Sequence, residues 1–167
     1  DVKQFMHAWT SEPGYPIVHV REKNGKLHLS QKRFKMVQST PPKRATSWHI
    51  PLLDSHVGET AILAAMDTSI VMPVDGPMYF NKQRSGFYRV SYEHTLLMQL
   101  AELVDTGKLE PLDRLGLLAD LFEASKSGDV STVTALEFLS HYSKEENAVV
   151  WTVIAGMIGS IRLIHGS

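Results

Sequence analysis

The chain has 167 residues, a formal net charge of −1, no cysteine, and 43% apolar against 21% charged residues. This is ordinary globular composition, which excludes intrinsic disorder, and the lack of cysteine excludes disulfide bonds and thiolate sites. The length suits one large domain or two small ones, with enough apolar residues to build a core.

Charge is distributed unevenly along the chain. Residues 1–92 carry 12 Lys and Arg against 7 Asp and Glu, a balance of +5, whereas residues 93–167 carry 5 against 11, a balance of −6. The basic excess lies between Arg21 and Arg44. It is compatible with a phosphate-binding surface, but the lack of interleaved aromatic residues favours a solvated strand face protected by lysines. We therefore predict no nucleic-acid partner, and we expect the two halves to attract each other.

The first predicted element is a short helix. Its apolar residues recur at the spacing of one helix face, at Val2, Phe5, Met6 and Trp9. The helix should end by about Ser11, because Pro13 and Gly14 follow. A helix this short is marginal in water, so we expect its tryptophan face to pack against something else, either in this chain or in a larger parent protein.

A β-rich region follows and extends to Tyr92. Asn24-Gly25 is the strongest hairpin signal in the chain and joins two predicted strands. Turn signals recur about every 8 to 12 residues, a spacing typical of a small antiparallel β-sandwich. Roughly seven short strands are predicted. They cover residues 17–21, 26–34, 47–53, 60–65, 68–74, 78–81 and 86–92.

Helical periodicity replaces the strand pattern after Tyr92. Four antiparallel helices are predicted, an arrangement typical of the start of a helical solenoid. Gly107 ends the first, Pro111 begins the second, Ser131 caps the third, and the last runs from about Glu146 toward Leu163. The second helix is apolar on more than one side, so it should lie between neighbouring elements.

The seven residues Gly86–Tyr92 join the two predicted halves. Gly86 precedes a strand at a place where a Cβ atom is expected to clash. Arg89 is expected to pair with acidic residues of the helical half. Both are predicted to matter for structure and not for chemistry.

The eight histidines prompt a search for a zinc site, which needs two or three imidazoles or carboxylates that converge. No histidine precedes a glutamate, as the H-E-x-x-H motif requires. His141 and Glu145 have helical ligand spacing, but an ordinary surface contact between them is the favoured interpretation. His49, Asp54 and His56 are close in sequence and are expected to lie at the surface, pointing in different directions.

Other catalytic signatures are missing from the sequence. No G-x-S-x-G, P-loop or G-x-G-x-x-G segment occurs, which leaves no basis for acyl transfer or nucleotide chemistry. Asp113, Arg114 and Asp120 are expected to form a charge network on one helix. The uncharged segment 148–161 is too short to span a membrane and is expected to be a buried helix of a larger α-solenoid. The sequence therefore predicts no catalytic, cofactor-binding or metal-ligating residue.

Five ordered stretches resemble the zinc-dependent gluzincin aminopeptidases, most of all the puromycin-sensitive type. They are Trp9–Pro16, Leu27–Phe34, Trp48–Leu52, Gly86–Tyr92 and Pro111–Phe122. The second resembles the family's L-x-L-x-Q-x-R-F strand, and the third resembles W-x-V-P-L/I. The fourth resembles G-F/Y-Y-R-V-N-Y, with Ser91 in place of the usual Asn. The fifth resembles P-x-D-R-L-G-L-x-x-D-L-F.

The resemblance implies a fragment of a larger metallopeptidase. Residues 1–13 would be the last helix of a catalytic domain, 14–92 a β-sandwich linking domain, and 93–167 the first helices of a C-terminal helical domain. The family's zinc motif and catalytic tyrosine have no counterpart here, so the chain is expected to hold no zinc and to be inactive alone. Zinc and peptide substrates would belong to the full-length enzyme. A cytoplasmic location is expected from the lack of cysteine and of a signal-peptide pattern in this sequence.

Two hypotheses remain open at this point. The chain is either a non-catalytic fragment that bridges two domains of an aminopeptidase, or a free-standing β-sandwich and helix module that binds a peptide or protein. A chain that stops inside a helical domain would also leave part of its last helix uncovered, so we expect self-association there. The apolar residues concerned are Val149, Val150, Val153, Ile154, Met157, Ile158 and Ile161.

Overall fold

A computed structural model describes residues 1–36, 45–53, 61–72 and 76–165, with side chains described as far as residue 160. The helices are α1 (Val2–Ser11), α2 (His94–Asp105), α3 (Pro111–Lys126), α4 (Thr132–Leu139) and α5 (Ala148–His165). The strands are β1 (Pro16–Lys23), β2 (Lys26–Arg33), β3 (Ile50–Leu52), β4 (Ala61–Leu63), β5 (Asp67–Val71) and β6 (Arg89–Tyr92). Strands followed by helices confirm the predicted mixed β and α class.

Helix α1 packs against the β half, as its tryptophan predicted. Asp1 caps the helix by accepting a hydrogen bond from the backbone N–H of Lys3 at 3.0 Å. The indole Nε1 of Trp9 donates to the carbonyl of His49 at 3.1 Å, and its ring lies 6.3 Å from that of Trp48. Tertiary contact therefore stabilises a helix that is too short to be stable alone.

The β1–β2 hairpin is confirmed at the predicted turn. Asn24 and Gly25 both have positive φ, 54° and 69°, as a two-residue type I′ turn requires. Lys23 pairs with Lys26 next to the turn, and the register continues to Pro16 opposite Arg33.

The described residues of the β half form two sheets. One has four strands in the order β5-β2-β1-β6, and the other pairs β3 with β4. The pairing of β6 with β1 is parallel, so the expectation of a wholly antiparallel sandwich is wrong at that edge. Parallel neighbours need a long crossover, and here the chain between β1 and β6 passes through the other sheet before it returns.

The described residues contain six strands, because the predicted strand at 78–81 does not form. Phe80 makes an isolated bridge, and Asn81 then turns the chain with a φ of 60°. The Pro41-Pro42 loop, the 54–59 turn and the end of the fifth predicted strand lie outside the described residues.

The core of the β half lies between the two sheets. One face of the four-stranded sheet joins Trp48 and the β3–β4 pair in a single apolar cluster. Gln31 is buried in this cluster and fixes the two layers: its Nε2 donates to the carbonyls of Trp48 and Ala65, each at 2.8 Å. Its Oε1 accepts from the backbone N–H of Trp48, also at 2.8 Å. The buried Gln31 amide can satisfy all these hydrogen bonds only when the two layers are aligned as they are here.

The helical boundaries follow the predicted signals closely. Pro111 occupies the first turn of α3, and the Ser131 hydroxyl accepts from the backbone N–H of Thr134 at 3.0 Å to cap α4. Helix α3 is central, as its apolar character predicted. It contacts β6 and the short 3-10 helix Lys82–Arg84 on one side, and α4 and α5 on the other.

Candidate functional site

Helix α3 meets the β half through a cluster of three charged side chains, Arg84, Arg89 and Asp120, which we call the seam cluster. Asp120 Oδ1 accepts from Arg89 Nη1 at 3.0 Å, and Asp120 Oδ2 accepts from the backbone N–H of Val90 at 3.0 Å. Arg84 Nη1 lies 3.8 Å from the same carboxylate. The predicted pairing of Arg89 with an acidic residue of the helical half is therefore confirmed.

The Asp120 side chain is only 8% exposed. Burial raises the pKa of Asp120 to about 6, although the hydrogen bond from Val90 and the charges of Arg84 and Arg89 oppose the rise. A buried carboxylate with two arginine neighbours and a backbone donor fixes α3 against β6 at one position.

Arg89 is held on three sides. Its Nε donates to the Tyr15 hydroxyl at 3.0 Å, and its guanidinium carbon lies 5.6 Å from the centroid of the Tyr15 ring and 5.4 Å from that of Phe34. The two aromatic rings and the Asp120 carboxylate leave the Arg89 guanidinium little freedom to change its orientation.

A second buried carboxylate, Asp113, contacts the loop that precedes β6. Its Oδ1 accepts from the backbone N–H of Gln83 at 2.5 Å, and its carbonyl accepts from the Tyr79 hydroxyl at 3.1 Å. Gly116, one turn of α3 further on, permits this close approach. A Cβ atom there would lie 2.9 Å from the Tyr79 hydroxyl oxygen.

The loop that carries Arg84 is strained. Asn81, Gln83 and Arg84 have φ values of 60°, 55° and 53°, in the left-handed region that side chains other than glycine rarely adopt. Asn81 holds the loop: its Nδ2 donates to the carbonyl of Tyr88, and its Oδ1 accepts from the backbone N–H of Gly86, each at 2.8 Å. A Cβ on Gly86 would lie 2.3 Å from Cε1 of Tyr88, as the expected clash required.

The other side of α3 carries a separate ion pair. Arg114 donates to both oxygens of Glu145 at 2.7 Å and to the carbonyl of Leu109 at 2.6 Å. The hydrogen bond from Arg114 holds the pKa of Glu145 below its usual range. The expected charge network of Asp113, Arg114 and Asp120 within one helix is therefore wrong, because each contacts a different element.

The expected surface contact between His141 and Glu145 does not form. His141 Nδ1 lies 2.6 Å from Asp105 Oδ2, while Glu145 pairs with Arg114. The 3-10 helix Ser140–Tyr142 changes the direction of the chain before Glu145. A cavity of about 400 Å³ is lined by residues of both contacts, among them Asp105, Arg114, His141 and Glu145.

The remaining sequence candidates are not brought together. His49 is half-buried beneath α1, where its ring lies 5.8 Å from that of Phe5. Asp54 and His56 lie outside the described residues, as do Lys43 and Arg44 of the basic stretch. Within the part of the chain that the structure describes, no three His, Asp or Glu side chains are grouped as metal ligands would be.

Two contributors to the seam were not found from the sequence. Arg84 was missed because no local signal predicts left-handed backbone at Gln83 and Arg84. Tyr15 was missed because its partner Arg89 is 74 residues away. The Gly-Tyr-Pro segment was noticed only as a point of resemblance.

Residues 78–165 match the family model of the ERAP1-like C-terminal domain. The chain belongs to this family. The match to the ERAP1-like C-terminal domain begins before the strained loop and takes in β6 and helices α2 to α5. It therefore covers both carboxylates by which α3 contacts the β half.

The chain is also similar to several aminopeptidases along almost its whole length. Aminopeptidase 2 of Candida albicans is 34% identical over 168 residues, which take in 97% of this chain and 18% of the relative. Tricorn protease-interacting factor F2 of Thermoplasma volcanium is 29% identical, with 99% of this chain and 20% of the relative covered. Aminopeptidase N of Lactococcus lactis is 28% identical, with 98% and 20% covered.

These matches confirm the resemblance to the gluzincin aminopeptidases. The chain spans about a fifth of the length of these relatives, between 18% and 20% of each. Among the described helices, none has both the length and the apolar character needed to cross a bilayer.

Proposed function

We propose that this chain is a non-catalytic part of a zinc metalloaminopeptidase that removes N-terminal amino acids from peptides. The matching family and the aminopeptidase names of the relatives support this proposal. The chain covers about a fifth of those relatives, so the peptide substrates and the reaction are proposed for the whole enzyme.

The role proposed for this part is to bridge two domains. Residues 1–13 are assigned to the end of a catalytic domain, 14–92 to a linking domain, and 93–167 to the start of a helical domain. The observation that carries the bridging role is the set of bonds from α3 to the β half. Asp113 accepts from the backbone of Gln83, and Asp120 accepts from the backbone of Val90 and from Arg89. Bonds of this kind transmit a fixed orientation from one domain to the other.

Zinc is proposed for the full-length enzyme and not for this chain. The described residues provide no converging set of three His, Asp or Glu ligands, so they do not fit a catalytic zinc ion. We therefore assign no step of the hydrolysis to a residue of this chain.

The experiment compares the 167-residue chain with the product of the complete reading frame. We expect the complete protein to contain about one zinc per chain and to hydrolyse an aminoacyl reporter until a chelator removes the metal. The 167-residue chain should hold no stoichiometric zinc and release no product. An upstream reading frame without H-E-x-x-H, or tight zinc and chelator-sensitive activity in the short chain, would contradict the proposal.

A cytoplasmic location and self-association through α5 are proposed as well. Val150, Ile154 and Met157 are buried within the chain, but Val149 is 63% and Ile158 51% exposed on α5. Burying such side chains between two copies would stabilise a dimer by roughly 25 cal/mol per Å² of apolar area. Light scattering on the unaltered chain and on a Val149→Asp, Ile158→Asp variant tests this. Monodisperse monomers in both samples would contradict it.

A further inference from the structure

A small cleft opens beside the seam cluster, at the start of β6. Its volume is about 240 Å³. It is lined by Tyr15, Asn81, Arg84, Phe87, Tyr88 and Arg89, with Gly86 at its edge. Two arginines therefore line the cleft, and none of the described residues that line it is acidic.

Both arginines keep hydrogen-bond donors available. Arg89 uses Nε for Tyr15 and Nη1 for Asp120, and Arg84 uses Nη1 for the carbonyl of Gly116 at 3.3 Å. Among the described residues, no acceptor is bonded to the Nη2 atom of either arginine or to Nε of Arg84.

Charge at the cleft is also unbalanced. The carboxylate of Asp120 is the ion-pair partner of both Arg84 and Arg89, at 3.8 Å and 3.0 Å. One negative charge therefore faces two positive charges. The Arg84 side chain is 34% exposed, so a ligand from solvent can reach it.

The aromatic side chain of Phe87 lines the cleft together with the two arginines. Phe87 is 71% exposed, an unusual state for so large an apolar side chain. Its ring is nevertheless held in place, edge-on to Tyr15 at 5.6 Å and to Trp9 at 6.3 Å. A positioned aromatic face is a favourable surface for an apolar or aromatic group.

Backbone strain is concentrated at this cleft. Gln83 and Arg84 have left-handed φ values, and the amide of Asn81 and the carboxylate of Asp113 fix the loop by hydrogen bonds. Strain of this kind persists where the surroundings determine the backbone, and it is common at ligand sites. Here it places the Arg84 guanidinium next to that of Arg89.

We propose that the cleft binds a small organic carboxylate that also carries an apolar or aromatic group. The carboxylate accepts hydrogen bonds from the open donors of Arg84 and Arg89, since a guanidinium matches the planar geometry of a carboxylate. The apolar group lies against Phe87. The cleft belongs to this chain whether or not the chain is part of an aminopeptidase.

Three probes separate the two parts of the recognition. Phenylacetate carries both features, acetate carries the charge alone, and phenylacetamide carries the ring without the charge. Each is titrated into the 167-residue chain, and the Nε–H signals of Arg84 and Arg89 are followed by NMR. We expect phenylacetate to bind at least about tenfold more tightly than either of the others, because hydrogen bonds to a charged group and burial of the ring both contribute. Equal affinity for phenylacetamide and phenylacetate, or no shift with phenylacetate, overturns the proposal.

Substitutions locate the site. Arg84→Met and Phe87→Ala should each weaken phenylacetate binding about tenfold. Lys26→Met, at the hairpin on the far end of β1, is the matched control and should leave the affinity unchanged. Unchanged affinity in a folded Arg84→Met protein overturns the proposal. Melting curves establish folding first, and if Arg84→Met does not fold, the comparison of probes on the unaltered chain decides.

Discussion

The two sides of α3 contact their neighbours in different ways. On the side of the β half, Asp113 and Asp120 accept hydrogen bonds from the backbone of Gln83 and Val90. On the side of α4 and α5, apolar packing is supplemented by Arg114, which pairs with Glu145. A backbone donor has one position and direction, whereas apolar side chains can repack at small cost. The β side of α3 therefore fixes the orientation of the two halves, and the helical side mainly adds stability.

The largest effect is expected from Asp120→Ala. This change leaves the buried N–H of Val90 and the guanidinium of Arg89 without their acceptor, so unfolding free energy should fall by about 3 to 5 kcal/mol. Asp129→Ala is the matched control, because Asp129 also joins the halves, through a pair with Lys32 whose side chain is 50% exposed. It should cost at most about 1 kcal/mol. Urea unfolding of both variants is the measurement, and equal costs would remove the distinction between buried and exposed bonds at the seam.

The pH dependence of stability sharpens the comparison. Folding raises the pKa of Asp120 from 3.8 to about 6 because the carboxyl is buried, so the folded state holds more protons between these values. The contribution of Asp120 to the free energy of unfolding should therefore fall as pH rises from about 4 to about 6, by on the order of 3 kcal/mol, and stay constant above. His19, whose pKa burial lowers to about 4, contributes with the opposite sign.

Comparing the unaltered chain with Asp120→Asn at each pH cancels the His19 contribution. The unfolding free energy of the unaltered chain, relative to that of Asp120→Asn, should fall as pH rises from about 4 to about 6. A difference that is constant from about pH 4 to about pH 7 would show that Asp120 titrates normally in the folded state.

The helical side of α3 is tested by Arg114→Met. The change removes both bonds to Glu145, whose side chain is 1% exposed, and the bond to the Leu109 carbonyl. We expect a loss of about 2 kcal/mol, less than for Asp120→Ala, because the Glu145 carboxylate keeps the hydrogen bonds that its Oε1 accepts from the backbone N–H groups of Glu146 and Asn147. Arg21→Met is the control, because Arg21 is exposed. A cost as large as that of Asp120→Ala would mean that the two sides of α3 do not differ.

The smallest effect is expected at Gly86. A Cβ there would lie 2.3 Å from Cε1 of the buried Tyr88, so Gly86→Ala should destabilise the chain by about 1 to 2 kcal/mol as the ring moves. Gly156→Ala is the control, because a Cβ at Gly156 meets no atom within 4 Å and alanine favours the helix. In thermal unfolding, the melting temperature should fall below that of the unaltered chain for Gly86→Ala and rise above it for Gly156→Ala. A neutral Gly86→Ala would show that the loop relaxes freely.

Local signals predicted much of this fold. The Asn24-Gly25 turn, the start of α3 at Pro111 and the cap at Ser131 each depend on a few adjacent residues, and all three form as expected. The parallel pairing of β6 with β1 could not be predicted, because it depends on the path of about 65 residues between the strands.

The seam cluster was only half predictable. Arg89 was expected to pair with an acidic residue of the helical half because it alternates with Tyr88 and Val90 along its strand, and it does. Asp113 and Asp120 were expected to form a charge network with Arg114 along one helix, which does not form. Their burial follows from backbone donors at Gln83 and Val90, which come close only after the whole chain has folded.

We propose that this chain orients the domains of an aminopeptidase and takes no part in its chemistry. The most direct test is Asp120→Ala in the complete enzyme, with melting temperature and turnover per folded molecule measured on the same samples. We predict a lower melting temperature and an unchanged turnover, because the contacts of Asp120 among the described residues are with Arg84, Arg89 and Val90, which hold the seam together. A large fall in turnover at an unchanged melting temperature would contradict the account.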